Sequence, residues 1–208
     1  MLRNWPAALR GRREKNVEIT FRDAATVVHG MFFGGLLMLT VGAAIMGLYA
    51  TSATGSHWTL TPVQARLFSG FLALIALLAW ITVLLGAYVI YPWYRAHAPA
   101  GTLDLSGYPQ RLLMSKPSTT GWHDIGMEWK EHIAWFAPIS LTVVAYLFSR
   151  YGKDLHALKS VRRAIFGLIA LAFFATCVAA FFGAMLNKFA PVRGGSVITL
   201  MHEESHDE

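Results

Sequence analysis

The sequence predicts an all-α integral membrane protein, a four-transmembrane-helix bundle preceded by a basic interfacial arm. Two observations carry that fold class. Of the 208 residues, 55% are hydrophobic and only 14% are charged, whereas a soluble domain carries roughly a quarter charged residues. Four apolar runs account for the deficit: Ala24–Ala50, Leu67–Trp93, His132–Ser149 and Ala164–Leu186. None contains Asp, Glu, Lys or Arg, and each is long enough for a hydrocarbon core of roughly 30 Å. In lipid the backbone must satisfy its own hydrogen bonds, so each run is expected to be a helix.

The elements follow in order. Residues 1–22 form the arm, with Arg3, Arg10, Arg12, Arg13, Lys15 and Arg22, and with Trp5 and Phe21 suited to the headgroup zone. The transmembrane domain is expected over residues 23–190, with spans at about 23–50, 66–94, 125–150 and 161–187. The first run is too long for a signal-peptide core of about 7 to 15 residues. A short, nearly uncharged loop, "TSATGSHWTLTPVQ", joins the first two spans. The second ends in an aromatic belt, Tyr91–Tyr94, before a long Pro- and Gly-containing loop over 95–123. A loop of that length points to a docking surface or a functional role. Pro138 is expected to disturb the third span. Residues 191–208 form a tail ending in the acidic "MHEESHDE", expected to be exposed and mobile. The face with the N-terminus, the long loop and the tail holds 12 of the 18 Lys and Arg residues, which favours it as cytoplasmic. The basic excess lies at helix ends, so it is read as anchoring to a membrane surface and not as nucleic-acid binding. The single cysteine, Cys177, excludes a disulfide framework, a CxxCH haem attachment and an iron–sulfur cluster.

Of eight histidines, only His29 and His132 fall within expected hydrocarbon. If the first span opens at Asp23 and the third at Asp124, the two lie roughly 9 and 12 Å deep from the same face. A polar side chain in a span marks a candidate site. Two level imidazoles on co-directional helices could ligate one iron porphyrin from opposite sides. Gly30, Gly34 and Gly35 would let a macrocycle lie flat, and Phe32, Phe33, Trp129, Trp135 and Phe136 would wall it. Arg22, Arg95, Lys116 or Lys130 would pair with propionates. The plainer readings are an interfacial His at a helix end, ordinary packing of small residues in "GMFFG", and aromatics of a membrane belt.

Glu128 and His132, four apart on one helix face, offer a rival non-haem metal site with Glu131 or His29. Lys130 and Glu131 are otherwise expected to be solvated or bridged. A second haem lacks a ligand pair, since the rest of the first span offers only Met38 and Met46. His57 and His156 fall at the opposite face, His97 and His123 are expected to be exposed in the long loop, and His202 and His206 lie in the tail. Trp122, His123 and Trp129 mark where a quinone would be sought.

With His29, His132 and the four-span layout, the chain resembles the small haem b-bearing membrane subunits of respiratory and photosynthetic electron-transfer complexes. The resemblance covers the four helices alone. It implies the axial-ligand role for His29 and His132 in one haem b, where those subunits often carry two; with Gly30, Phe33, Gly34 and Trp129 read from the residues as lying around it, the subunit is expected to pass electrons between quinone and a redox partner without catalysing a bond-making step. It further implies a bacterial inner membrane, other subunits of the complex and a c-type cytochrome as partners. The alternative from the same residues is a cofactor-free subunit that anchors a larger membrane assembly.

Overall fold

A computed structural model describes residues 17–52 and 60–201. Four helices are long and apolar enough to cross a membrane: α1 (Phe21–Thr51), α2 (Pro62–Tyr94), α3 (Pro117–Asp154) and α4 (Lys159–Phe189). Helix α3 starts earlier than its apolar run suggests. Pro117 opens it, fitting the first turn of a helix where no N–H partner is needed. Thr61 caps α2 in a reciprocal capping box with Gln64. Thr20 caps α1, accepting from the Asp23 N–H at 3.3 Å and donating its hydroxyl to the Asp23 carboxylate at 2.8 Å.

The core is a seam of residues from all four helices. In α1 it comprises Leu37, Val41, Ala44 and Leu48, a stripe at alternating four- and three-residue steps. Leu72, Ile75 and Ala79 of α2, Leu141, Val144 and Phe148 of α3, and Ile165, Ile169 and Ala172 of α4 complete it. Helix α3 packs extensively on α2 and α4, while α1 packs on the same two helices, so α1 and α3 lie diagonally. At one end, Gly47 and Gly152 bracket an aromatic pair. Phe68 and Phe148 meet edge to face with centroids 4.9 Å apart. A Cβ on Gly47 would come within 2.7 Å of Phe68, and one on Gly152 within 3.0 Å of Phe148.

The other end, called the mouth below, gathers the start of α1, the end of α2, the start of α3 and the end of α4. Three wide π-helical turns occur in this region: Val28–Gly34 in α1, Gly86–Ile90 in α2 and Trp122–Met127 in α3. Such turns insert one residue into the helical register and recur at functional sites. Pro92 lacks the N–H that would continue the ladder of α2. Pro138 crowds the carbonyl four residues earlier, and the turn before it tightens to a 3₁₀ turn over Ile133–Trp135.

The segments outside the spans are more ordered than the sequence suggests. Val17–Thr20 (β1) pairs antiparallel with Val197–Met201 (β2), so part of the expected arm and part of the expected tail form one ribbon. Gly194 and Gly195 both take positive φ (129° and 84°), which turns the chain after α4 back toward β1. The Phe21 and Arg22 amides donate to the carbonyls of Ser196 and Gly194 at 2.9 and 3.1 Å. The long loop carries a short helix, Pro109–Met114, whose Leu113 is buried with Tyr94, Met127, Leu186 and Val192 in a second apolar cluster. The basic stretch before Val17, together with His57, His202 and His206, lies outside the described residues.

Candidate functional site

The buried stripe of α3 sets which polar residues can face inward. Stepping back from Phe148 by alternating fours and threes passes through Val144, Leu141 and Ala137 and then reaches Ala134, Lys130 and Met127. His132 is two residues from Lys130, about 200° around the helix, so the two cannot share a face. The structure turns Lys130 inward. Lys130 is half-buried; its ammonium donates to the Ala179 carbonyl of α4 at 3.4 Å and sits where a Cβ on Gly183 would be only 3.1 Å away. This corrects the expectation that Lys130 is solvated or bridged. Phase, and not proximity to the helix end, decides its environment.

His132 accordingly faces outward. Its side chain is 68% exposed and its Nδ1 lies 3.3 Å from the Glu128 carboxylate and 3.1 Å from the Glu128 carbonyl. Together with Asp124, Ile125, Glu128, Trp129 and Ile133 it lines a shallow groove on the outer face of α3.

The α1 partner is placed by a register shift. The buried stripe of α1 continues from Leu37 to Gly34, and a regular helix would next present Gly30. The π-turn widens that step to five residues and presents His29 instead. Gly30 is left exposed. The His29 ring rests on α2, where a Cβ on Gly86 would lie 3.0 Å from Cε1 and 3.2 Å from Nε2. Its Nδ1 is buried and has no hydrogen-bond partner among the described residues. Lys130 is within electrostatic reach of the ring.

The structure therefore does not bring His29 and His132 together. Of the other residues singled out from the sequence, Gly34 is buried in α1 and Phe33 packs edge to face on Phe32 at 5.2 Å. Trp129 turns toward α4, donating to the Ala175 carbonyl at 3.5 Å and meeting Phe174 and Phe182. His29 has no space on its α2 side for a flat macrocycle, and His132 points away from the bundle. The residues present do not fit a haem gripped between α1 and α3 of one chain. Among the described residues, no group of three or more His, Cys, Asp or Glu is placed to hold a metal ion, so the Glu128–His132 pair gains no third ligand.

Above this layer lies a second polar network that the sequence reading missed. His123, expected to be exposed, is half-buried: Nδ1 shares a 2.8 Å hydrogen bond with the Tyr94 hydroxyl, and Nε2 lies 3.4 Å from the Gln110 amide. Tyr91 accepts from Arg95 at 3.0 Å and faces Glu131. Glu131 is thereby turned to α2, not to Lys130. Trp122 stacks on Phe189 with centroids 5.9 Å apart. The signal for this network was the aromatic belt itself, since a buried Tyr hydroxyl needs a polar partner. No family model, curated protein or solved structure matches this chain.

Proposed function

We propose that the chain is a cofactor-free structural subunit that anchors a larger membrane assembly. One observation carries this reading. Among the described residues the β1–β2 ribbon stands outside the spans with one open edge on each strand, and Val17, Val197, Ile198 and Leu200 are exposed on it. A two-stranded ribbon is marginal in water by itself, and open edges pair readily with a further strand. The ribbon also ties the start of α1 to the end of α4, so a partner strand added there would be held rigidly against the bundle.

The reading is tested by mild detergent extraction from native membranes followed by native electrophoresis. The wild-type chain is expected in an assembly larger than itself. Ile198→Pro, which removes a ladder N–H, is expected to release it as a lone chain with helix content unchanged by circular dichroism. A wild-type chain that migrates alone overturns the proposal.

A second reading, a haem b electron-transfer subunit working with quinone, is favoured by His132. Glu128 holds Nδ1, the arrangement that fixes a ligating imidazole and leaves Nε2 for a metal. On that reading His132 would hold the haem together with a residue of another subunit, and the haem would supply one-electron chemistry. An absorption spectrum of the assembly separates the two readings. Reduced low-spin haem bands that disappear in His132→Ala, with the assembly intact, favour the second; a colourless assembly favours the first.

A further inference from the structure

The two edges of the β1–β2 ribbon are not equivalent. Along β1, Ile19 and Thr20 are half-buried, the Thr20 side chain is taken up in capping α1, and Glu18 puts a charge on the strand. None of these protections is found on β2. Val197, Ile198, Thr199 and Leu200 are all exposed, and Val197–Met201 contains neither a charge nor a proline. Edge strands are ordinarily blunted by charge, proline or cover, because a bare one templates further pairing. Among the described residues no further strand pairs with β2.

The register shows which groups that edge offers. The Phe21 N–H donates to the Ser196 carbonyl, and Ile19 lies opposite Ile198. Backbone groups alternate between the two edges of a strand, so Ser196 and Ile198 turn theirs to β1 while Val197 and Thr199 turn theirs outward. The irregularity of the ribbon lies beyond Thr199, so this stretch of β2 is regular. Two copies of it placed antiparallel about Ile198 match without remainder. Val197 of each stands opposite Thr199 of the other, and these pairs exchange both backbone hydrogen bonds. The two Ile198 side chains meet at the two-fold axis as an apolar cross-strand pair. The flanks agree with that direction, since Arg193 precedes β2 and Glu203 and Glu204 follow it in the sequence. Antiparallel copies set basic against acidic, whereas parallel copies set like against like. Copies held in one bilayer with one orientation also carry their ribbons at the same level. The pairing uses the same edge on both copies and so closes on itself. Joining two ribbons takes the sheet past the roughly three strands needed for independent stability.

On the reading of the ribbon as the anchor of an assembly, on which this depends, we propose that the strand it takes up is β2 of a second copy. The chain is then a two-fold dimer joined through one continuous sheet at the mouth. The test uses the purified full chain in mild detergent. In a Cys177→Ala background, Ile198→Cys is expected to form a disulfide-linked dimer under mild oxidation. Its Cα atoms would stand about 4.5 Å apart across the axis, inside the disulfide range. Leu200→Cys is the control: it is more exposed, 58% against 37%, but its symmetry mate lies several residues along the strand, beyond disulfide reach. Without engineered thiols, wild type is expected to run as a dimer by light scattering. Thr199→Pro, which removes an outward N–H and leaves those toward β1, is expected to raise the dimer Kd at least about tenfold. Equal crosslinking of Leu200→Cys and Ile198→Cys, or a dimer indifferent to Thr199→Pro, overturns the proposal. A purified wild-type chain that runs alone, while native extracts hold a larger assembly released by Ile198→Pro, also overturns it but leaves the anchoring role standing, with the strand supplied by another subunit. A chain that runs alone in both overturns both.

Discussion

Phe148→Ala is expected to produce the largest loss of stability of any single truncation in the bundle, about 3 kcal/mol. Phe148 is 1% exposed and meets Phe68 edge to face at 4.9 Å. The two rings are wedged between the glycines of α1 and the end of α3, so three helices close on one aromatic pair. Between helices in lipid the hydrophobic driving force is weak, because acyl chains are as apolar as the side chains. Most of the loss therefore comes from the cavity and from lost van der Waals contact, which the surrounding helices can only partly recover. Phe136→Ala is the control. It lies on the same helix but is 48% exposed, so its ring faces out of the bundle and its removal is expected to cost less than about 0.5 kcal/mol. Reversible unfolding in mixed micelles of increasing denaturing-detergent fraction measures both. Equal midpoints for the two variants would show that the bundle does not depend on this aromatic lock.

The four spans were legible because their signal is aggregate. Any run of about twenty apolar residues without charge is forced toward a helix, whatever its internal order. The facing of individual side chains depends on phase, and phase depends on features that leave little trace in composition. In α3 the phase could have been read: the buried stripe through Phe148, Val144, Leu141 and Ala137 runs back to Lys130 and passes His132 on the far side. Depth matching placed the α1 and α3 mouths at one level without asking which face each presented. In α1 the phase could not have been read, because the π-turn over Val28–Gly34 adds a residue to one step and exchanges Gly30 for His29 at the interior. Neither proline nor charge announces that turn.

The ribbon was hidden for a different reason. "VEIT" and "VITLM" are short, and they are separated by the whole bundle, so neither periodicity nor a turn signal links them. What joins them is the up-and-down path of four helices, which returns the segment before α1 and the segment after α4 to one face. The Gly194–Gly195 pair is the one local cue, two glycines at the position where positive φ redirects the chain. Order in the long loop has a similar origin: Leu113 is held only because Tyr94, Met127 and Leu186 come together from three helices.

Gly86→Val is expected to couple to His29 more strongly than to any other side chain at the mouth. The added Cβ alone would stand 3.0 Å from Cε1 and 3.2 Å from Nε2 of the ring, and the two further methyls of valine deepen the conflict. Forcing atoms into a packed helix contact costs about 1–3 kcal/mol. The ring has few alternatives, because its own helix is fixed there by the widened turn. If the clash is with His29, truncating that ring should remove most of the penalty. His29→Ala is accordingly expected to be mildly destabilising by itself, and the Gly86→Val/His29→Ala double variant to be more stable than the sum of the single effects by more than about 1 kcal/mol. The same micelle unfolding measures all four corners of the cycle. Additive single effects would mean that His29 does not rest on α2, and the register shift that carries it into the bundle would then have to be abandoned. A strong coupling would tie the widened turn of α1 to the glycine of α2 as one device, since without the turn Gly30 would meet Gly86 and the interior would hold no imidazole at this level.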